Sequence, residues 1–182
     1  MKPERDMAVP LDAGRYSAVE RLRDGRAITI RAQKPSDRDE LVAAVARVSA
    51  QSFYLRFFSV KHEFSDKEVG RFMNIDFLNH VALVAAMDTP KGPEIVAGGR
   101  YVVVRLGAAE VAFAVLDEYQ GLGIGALLMR HLTMIARAAG LEELVAEVLA
   151  PNRVMLKVFE RSGLPLTTTR EAEVVHVSMR IC

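Results

Sequence analysis

The strongest constraint in this sequence of 182 residues is a glycine-rich loop between an apolar segment and a long amphipathic one. The apolar segment 110–115 leads into a loop that contains Gly121, Gly123 and Gly125. Apolar residues then recur at helical spacing over 123–139, which predicts a helix. Closely spaced glycines let backbone N–H groups turn toward one point, and a helix N-terminus adds free donors and partial positive charge. The loop therefore predicts an anion site suited to phosphate or pyrophosphate.

Segments with the patterns of strands and helices lie on both sides of this loop. Alternation and β-branched content predict strands at 27–32, 81–87, 94–104, 110–115, 144–149, 166–170 and 173–181. Helical spacing predicts helices at 37–48, 123–139 and 152–162, with another after the capping box of Ser65 and Glu68. Ser36 is expected to cap the first helix. This order predicts an α/β (α+β) chain with a mixed, mostly antiparallel central sheet of about six to seven strands flanked by helices.

The sheet is expected to combine a meander with one crossover. Short turns separate 81–87, 94–104 and 110–115, so these three strands should pair antiparallel in order. The chain then passes through the helix at 123–139, which should bring 144–149 parallel to 110–115.

The first 25 residues show no sustained periodicity beyond a short stretch at Tyr16–Leu22, and we interpret residues 1–25 as a tail or linker. Regular structure is expected to begin at Ala27. The length then fits one domain over 26–182.

Composition excludes several classes of function. The chain has 24 Lys and Arg against 23 Asp and Glu, and a net charge of +1 gives no general attraction to nucleic acid or anionic lipid. The one cysteine, Cys182, rules out an internal disulfide and a zinc site of several thiolates. The histidines at 62, 80, 131 and 176 are scattered, so no metal site is predicted. The longest apolar run, 81–87, is too short for a membrane span of about 20 residues, and no secretion signal is evident; we expect a cytoplasmic protein.

A dinucleotide site is the first alternative for the glycine loop. Gly121-x-Gly123-x-x-Ala126 satisfies the G-x-G-x-x-G/A fingerprint, and Glu142 lies about 20 residues further on. The ribose-binding acid of that fold follows its second strand, whereas Glu142 precedes the strand at 144–149. Too little chain also remains after the loop for a doubly wound domain, so we reject this interpretation.

The loop fits a second pattern better. Gln120-x-x-Gly123-x-Gly125 resembles the Q/R-x-x-G-x-G/A acetyl-CoA signature of the GNAT acetyltransferases. Three further matches are Phe113-x-Val115 before the loop, the spacing of Val148 and Asn152, and the helix that begins at Asn152. Segments 26–31, 37–41, 52–58, 80–85 and 109–113 are also similar to the acetyltransferase domain of Pat-type bacterial protein lysine acetyltransferases. The resemblance implies the GNAT fold, with acetyl-CoA as cosubstrate and no metal.

Catalysis requires a group that accepts a proton from the attacking amine, because a lysine amine has an ordinary pKa of about 10.4. Glu110 opens the strand that leads to the loop, and the resemblance implies that it is the catalytic base. Glu147 on the neighbouring strand is the second candidate, and His80 is a distant third.

The resemblance also implies the groups that bind acetyl-CoA. The backbone of Phe113, Ala114 and Val115 should pair with the pantetheine arm, and Asn152 should hydrogen-bond it, cap its own helix, or do both. The pyrophosphate should be held by the signature loop: Gln120, Gly121, Leu122, Gly123, Ile124, Gly125 and Ala126. Phe159 occupies the position where many relatives place a tyrosine general acid, and a phenylalanine cannot donate that proton.

The acceptor amine is less constrained by the sequence. The resemblance implies direct attack by the amine in a ternary complex, and a protein lysine is the expected acceptor, with an acyl-CoA synthetase as one candidate. A small-molecule amine is the alternative acceptor, and a non-catalytic acyl-CoA-binding regulatory module is the alternative class. The aromatic segment at 53–58 is expected to influence acceptor choice. The sequence indicates no oligomeric state.

Overall fold

One eight-stranded sheet organises the computed structural model, which describes residues 11–59 and 64–182. The strands are β1 Ser17–Arg21, β2 Ala27–Ala32, β3 His80–Thr89, β4 Gly92–Arg105, β5 Ala108–Val115, β6 Glu143–Leu149, β7 Leu166–Glu171 and β8 Val174–Arg180. Their order in space is β1-β2-β3-β4-β5-β6-β8-β7. Within the described residues every neighbouring pair is antiparallel except β5 and β6, which are parallel. The mixed α/β class, the meander and the parallel crossover are therefore confirmed.

Helices cover both faces of this sheet. They are α1 Arg38–Arg47, α2 Ala50–Phe57, α3 Asp66–Met73, α4 Ile124–Ala138 and α5 Arg153–Glu160. Successive β5 residues alternate between the faces: Phe113 packs with α5 in the main core, while Ala112 and Ala114 face the cavity beneath α1, α2 and α3. The main core thus lies between the sheet and α4 and α5, and the three short helices form the opposite layer.

The N-terminal edge of the sheet differs from expectation. The prediction that regular structure begins at Ala27 is wrong, because Ser17–Arg21 pair with β2 as β1. The strand has polar residues on both faces, and its apolar Val19 is 73% exposed, so its pattern gives no strand signal. Contacts distant in sequence hold the segment in place, since Ala13 and Leu22 are buried in the main core.

The first helical layer contains one more helix than the patterns predicted. The sequence analysis placed two helices before β3, whereas the structure has three, with α2 the additional one. This helix begins at Ser49, whose hydroxyl accepts a hydrogen bond from the N–H of Ser52 at 3.2 Å. It has only eight residues and three aromatic side chains, which favour helix weakly. Its stability comes from packing Phe53 against Val48 and Leu116.

The two predicted helix starts have different outcomes. The capping box before α3 is confirmed: Ser65 Oγ accepts from Glu68 N–H at 3.3 Å, and Glu68 Oε2 accepts from Ser65 N–H at 2.7 Å. The prediction that Ser36 caps α1 is wrong, because the N-cap residue is Asp37. The buried carboxylate of Asp37 instead accepts two hydrogen bonds from Arg31, at 2.8 and 2.9 Å, and ties the start of α1 to β2.

Candidate active site

A cleft opens where the two parallel strands separate. β5 and β6 pair only over Ala108–Glu143, Ala109–Leu144 and Glu110–Val145, in the part of the chain that the structure describes. Beyond Glu110 the strands diverge, and a cavity of about 200 Å³ lies between them. The cavity follows β5 from Glu110 to Phe113, and residues of β6, α2 and α5 complete its lining.

The expected base lies at the point of divergence. Glu110 forms the last β5–β6 pair, is exposed, and lines the cleft. Its partner on β4 is Val102, and its carboxylate acts to raise the pKa of the Arg56 guanidinium on α2. An exposed carboxylate at the mouth of a cleft can reach an amine that enters from solvent.

The strand edge beyond Glu110 has the features of a docking edge. Phe113, Ala114 and Val115 pair with β4 on one side, and the ladder with β6 has already ended on the other. Except for Val115 C=O, which accepts a hydrogen bond from the Gln120 side chain, the backbone groups on that side are available to an extended ligand, which can add to the edge like a further strand. The Phe113 side chain is 1% exposed and packs in the core, so only its backbone is available.

Gly99 on β4 leaves room for the Phe113 side chain to pack in the core. A Cβ atom at Gly99 on β4 would lie 2.7 Å from Cδ1 of Phe113 and 3.2 Å from Cδ1 of Leu132. Any other residue at this position would clash with the Phe113 ring unless that side chain moved.

The glycine loop ends in a free helix N-terminus. Gly121 and Gly123 have φ values of +79° and +91°, in the left-handed region that glycine favours. The first hydrogen bond of α4 joins Leu127 N–H to Gly123 C=O at 3.1 Å, so the N–H groups of residues 124–126 have no partner within the helix. Gly125 serves packing instead, since a Cβ atom there would lie 3.4 Å from Cγ2 of Val158. The geometry suits an anion, as the sequence predicted for this loop.

The side chains of the signature loop play unequal parts. Ile124 is buried in the core, Leu122 is half-buried against it, and Ala126 is exposed. Gln120 points back into the protein: its amide donates to Val115 C=O at 3.2 Å and to Asp117 Oδ1 at 3.1 Å. In this structure Gln120 braces the turn after β5, and a contact with the cofactor stays a prediction.

A basic residue that the sequence analysis did not consider lies beside the loop. Arg23, in the turn between β1 and β2, places its Nε 3.5 Å from the position that a Cβ atom would take at Gly123. Its guanidinium adds a full positive charge to the helix N-terminus. The pairing of β1 with β2 brings it there from about 100 residues away, and no local pattern signals such a contact.

Asn152 and Phe159 both reach the cleft from α5. Asn152 caps its helix, because its Oδ1 accepts from Met155 N–H at 3.1 Å, while its Nδ2 donates to Leu55 C=O at 3.5 Å. The capping role is confirmed, and the contact with pantetheine stays a prediction. Phe159 is 2% exposed and its ring centroid lies 6.0 Å from that of Phe113, so it forms an apolar wall.

The other candidate bases are engaged elsewhere. Glu147 lines the cleft on β6, but its Oε1 lies 3.5 Å from Nδ1 of His176. His80 contacts Asn74 C=O at 3.0 Å and Arg100 at 3.2 Å, and burial together with the Arg100 charge lowers its pKa. His131 is buried beside Tyr16, away from the cleft, and His62 lies outside the described residues.

The described residues contain no group of three or more His, Cys, Asp or Glu side chains that would hold a metal ion. Over the same ranges, no helix has both the length and the apolar character needed to cross a membrane.

Comparison with known proteins places this architecture in one family. A model of the Acetyltransferase (GNAT) family matches residues 42–164. An acetyltransferase of Pseudomonas aeruginosa is 34% identical over 138 residues, which make up 75% of this chain and 74% of that protein. The acetyltransferase Pat of Mycolicibacterium smegmatis is 32% identical over 144 residues, 78% of this chain and 42% of that protein.

A solved structure agrees with these matches. The GNAT domain of S. lividans PAT superposes with a TM-score of 0.81 at 35% identity, covering 90% of this chain and 96% of that one. The family match is consistent with two features of the structure, the cleft where β5 and β6 separate and the helix N-terminus that follows β5. The chain belongs to the GNAT acetyltransferase family and is an acetyl-CoA-dependent enzyme.

Proposed function

We propose that this protein transfers the acetyl group of acetyl-CoA to a protein lysine side chain, by direct attack of the amine within a ternary complex. The observation that carries the proposal is the position of Glu110: an exposed carboxylate that lines a cleft where β5 and β6 separate, on the strand that leads into the glycine loop and α4.

Acetyl-CoA would occupy the cleft along its length. The pantetheine arm adds to the free edge of residues 113–115, in the manner of an extra strand. The pyrophosphate lies against the N–H groups of residues 121–126, where the helix dipole and the Arg23 guanidinium supply positive potential. This arrangement directs the thioester toward Glu110. With a net charge of only +1, local donors rather than overall charge hold the anionic cofactor.

The chemical step removes two protons from nitrogen and exchanges one bond. An acceptor ammonium gives its first proton to the carboxylate of Glu110, directly or through water, and the neutral amine attacks the thioester carbon. The C–S bond then breaks and the CoA thiolate leaves, and the acetylated nitrogen releases its second proton to solvent to give the amide. Because Phe159 is apolar and buried, we expect the thiolate to leave unassisted and to take its proton from solvent.

The protein nature of the acceptor rests on resemblance and on the openness of the site. The chain is similar to the acetyltransferase Pat of Mycolicibacterium smegmatis and to the GNAT domain of S. lividans PAT. The Pat-type resemblance of the sequence makes an acyl-CoA synthetase one candidate acceptor. Apolar side chains are exposed near Glu110, including Val102 directly opposite it and Phe58, which lines the cleft. A protein surface can cover such side chains, whereas a small amine would leave them exposed. The alternative acceptor is a small-molecule amine.

The experiment that tests the proposal follows thiol release from acetyl-CoA with lysine-containing proteins, lysine peptides and small amines. Mass spectrometry then locates the acetyl group. We expect release only when an amine is present, with the acetyl group on a lysine side chain and none on the enzyme. An acetylated Cys182 in the absence of acceptor would contradict direct attack. Tight acetyl-CoA binding without turnover on any amine would indicate a regulatory module instead.

A further inference from the structure

A second cavity lies on the other side of β5 from the core, beneath α1, α2 and α3. Its floor is made of small residues of β4 and β5, among them Gly98, Ala112 and Ala114, and its walls are mostly apolar side chains of the three helices. Ala112 also lines the acetyl-CoA cleft, as do Arg56 and Phe57. The two cavities therefore meet beside the reaction centre. The outer rim includes the exposed residues Arg38 and Val42, so this cavity opens to solvent.

Two guanidinium groups line this otherwise apolar cavity. Arg56 comes from α2, and its Nε is buried without a hydrogen-bond partner among the described residues. Arg100 comes from β4, and its cation lies 4.2 Å from the centre of the Phe72 ring. It donates to Phe72 C=O at 3.3 Å and to Gln33 Oε1 at 3.5 Å. All of these partners are neutral, and within residues 11–59 and 64–182 neither arginine forms an ion pair.

The positive charges of Arg56 and Arg100 are unfavourable to each other in the absence of a bound anion. Burial lowers the pKa of Arg56 to about 10, although the Glu110 carboxylate acts to raise it. Burial and the neighbouring charge of Arg56 lower the pKa of Arg100 to about 9. Two neighbouring, partly buried cations are stabilised by an anion that binds to both, and guanidinium groups bind a carboxylate with two parallel hydrogen bonds.

The position of Arg100 relative to Glu110 indicates how far the arginines are from the expected base. Arg100 is directly opposite Ala112 across the β4–β5 ladder, and Glu110 is two residues earlier on the same strand and face. Diagonal neighbours of this kind are separated by about 7–8 Å. That distance separates the two backbone positions, so a molecule whose amine is at Glu110 would meet the arginines with a group a short distance from its reactive nitrogen.

We infer that Arg56 and Arg100 form a carboxylate-binding subsite for the acceptor, so that the preferred substrate carries a carboxylate a short distance from the amine that is acetylated. The inference rests on the proposed function and narrows its substrate class. The carboxylate belongs either to an acidic residue next to the target lysine in a protein or to a small amino acid, and the two sources share the same chemistry at the arginines.

Matched acceptor pairs test this on the unaltered enzyme. One pair is a peptide with lysine followed by Glu and the same peptide with Gln; the other is 6-aminohexanoate and 6-aminohexanamide, whose chain length suits the spacing. We expect kcat/KM for the acid to exceed that for the amide about tenfold in at least one pair, since a charged hydrogen bond is worth about that factor. The pair that responds identifies the source. Ratios below twofold in both pairs would overturn the inference.

Variants of the two arginines then test whether the preference for the acid arises at this subsite. Arg56→Gln and Arg100→Gln should each reduce the acid-to-amide ratio to near one, while Arg71→Gln, an exposed charge on α3, should leave it unchanged. An acid preference that survives both cavity variants would also overturn the inference. Calorimetric binding of the same four compounds without acetyl-CoA provides a readout independent of turnover. If no amine is acetylated but the acids bind with dependence on Arg100, the proposed function fails and the subsite stands.

Discussion

The two faces of the sheet are packed very differently. On one face α4 buries much of its length, including Ile124, Leu128, Leu132 and Ile135. On the other face α1 has no buried residue, although the structure describes the whole helix. The densely packed face fixes the backbone of β5 and the start of α4, on which a cofactor site depends. The loosely packed face leaves a cavity with two charges in it. We infer that the tightly packed face supports binding of acetyl-CoA and that the loosely packed face accommodates the acceptor.

The largest effect should come from removing a core side chain on the packed face. Leu132→Ala deletes a fully buried side chain, and such substitutions cost about 3–4 kcal/mol of unfolding free energy. Leu41→Ala, at the wall of the helical-layer cavity, should cost about 1 kcal/mol or less, because that side chain is only half-buried. Denaturant unfolding of both variants measures the contrast. Equal losses would show that the two faces are packed alike.

The ion pair at the start of α1 sharpens the comparison, because it holds the loosely packed layer to the sheet. Burial acts to raise the pKa of Asp37, but hydrogen bonds from Arg31 and from Lys34 N–H outweigh it and leave the pKa below its usual range. Asp37→Asn should lower stability at pH 7 by about 3 kcal/mol, since it leaves Arg31 unpaired.

The same pair predicts a direction with pH. A carboxyl whose folded pKa lies below its unfolded value stabilises the fold above that unfolded value, about 3.9, and the contribution is lost as pH falls through the lower folded pKa. The difference between wild type and Asp37→Asn should therefore shrink as the solution is acidified below pH 4. A difference that stays constant down to low pH would rule out this role for Asp37.

A substitution in the glycine loop tests whether the tightly packed face holds the cofactor. Gly123→Ala forces a side chain into a left-handed conformation, with strain of about 1–2 kcal/mol, at the free end of α4. We expect acetyl-CoA affinity to fall about tenfold by calorimetry. Gly140→Ala is the matched control, because Gly140 has φ +78° after the opposite end of the helix. If both variants lose affinity equally, the effect is general destabilisation and not a local one.

The smallest predicted effect belongs to Arg23. Arg23→Gln should weaken acetyl-CoA binding about threefold at low salt and less at high salt, since the side chain is exposed and its charge is screened. Arg21→Gln, in the adjacent strand and bonded to Gly25 C=O at 3.1 Å, should have no such effect. Identical salt dependence in the two variants would remove Arg23 from the cofactor site.

The features predicted from the sequence are those with local signals. The loop glycines, the amphipathic pattern of α4, the capping box at Ser65 and the alternation in β5 each act over a few residues, and the structure agrees with them. The family motif points to Glu110 as the expected base, and this role stays a prediction. The local signals were sufficient for the fold class, which is confirmed.

The features missed depend on contacts between distant segments. β1 is held by pairing with β2, and this pairing places Arg23 beside a loop about 100 residues later. Arg56 and Arg100 line one cavity only because the fold places α2 against β5 and β6, next to β4. Gln120 matches the motif, yet its side chain bonds within its own turn. Sequence spacing alone does not determine which charges will be buried together.

The central claim is that Glu110 accepts the amine proton, and one measurement tests it directly. Acetyl transfer to a lysine acceptor is followed across pH for the wild type, Glu110→Gln and Glu147→Gln, with acetyl-CoA affinity measured in parallel. We predict that Glu110→Gln lowers kcat/KM about 100-fold with unchanged acetyl-CoA affinity, while Glu147→Gln stays close to wild type. Normal kcat/KM for Glu110→Gln throughout the pH range, with acetyl-CoA still bound, would contradict the account.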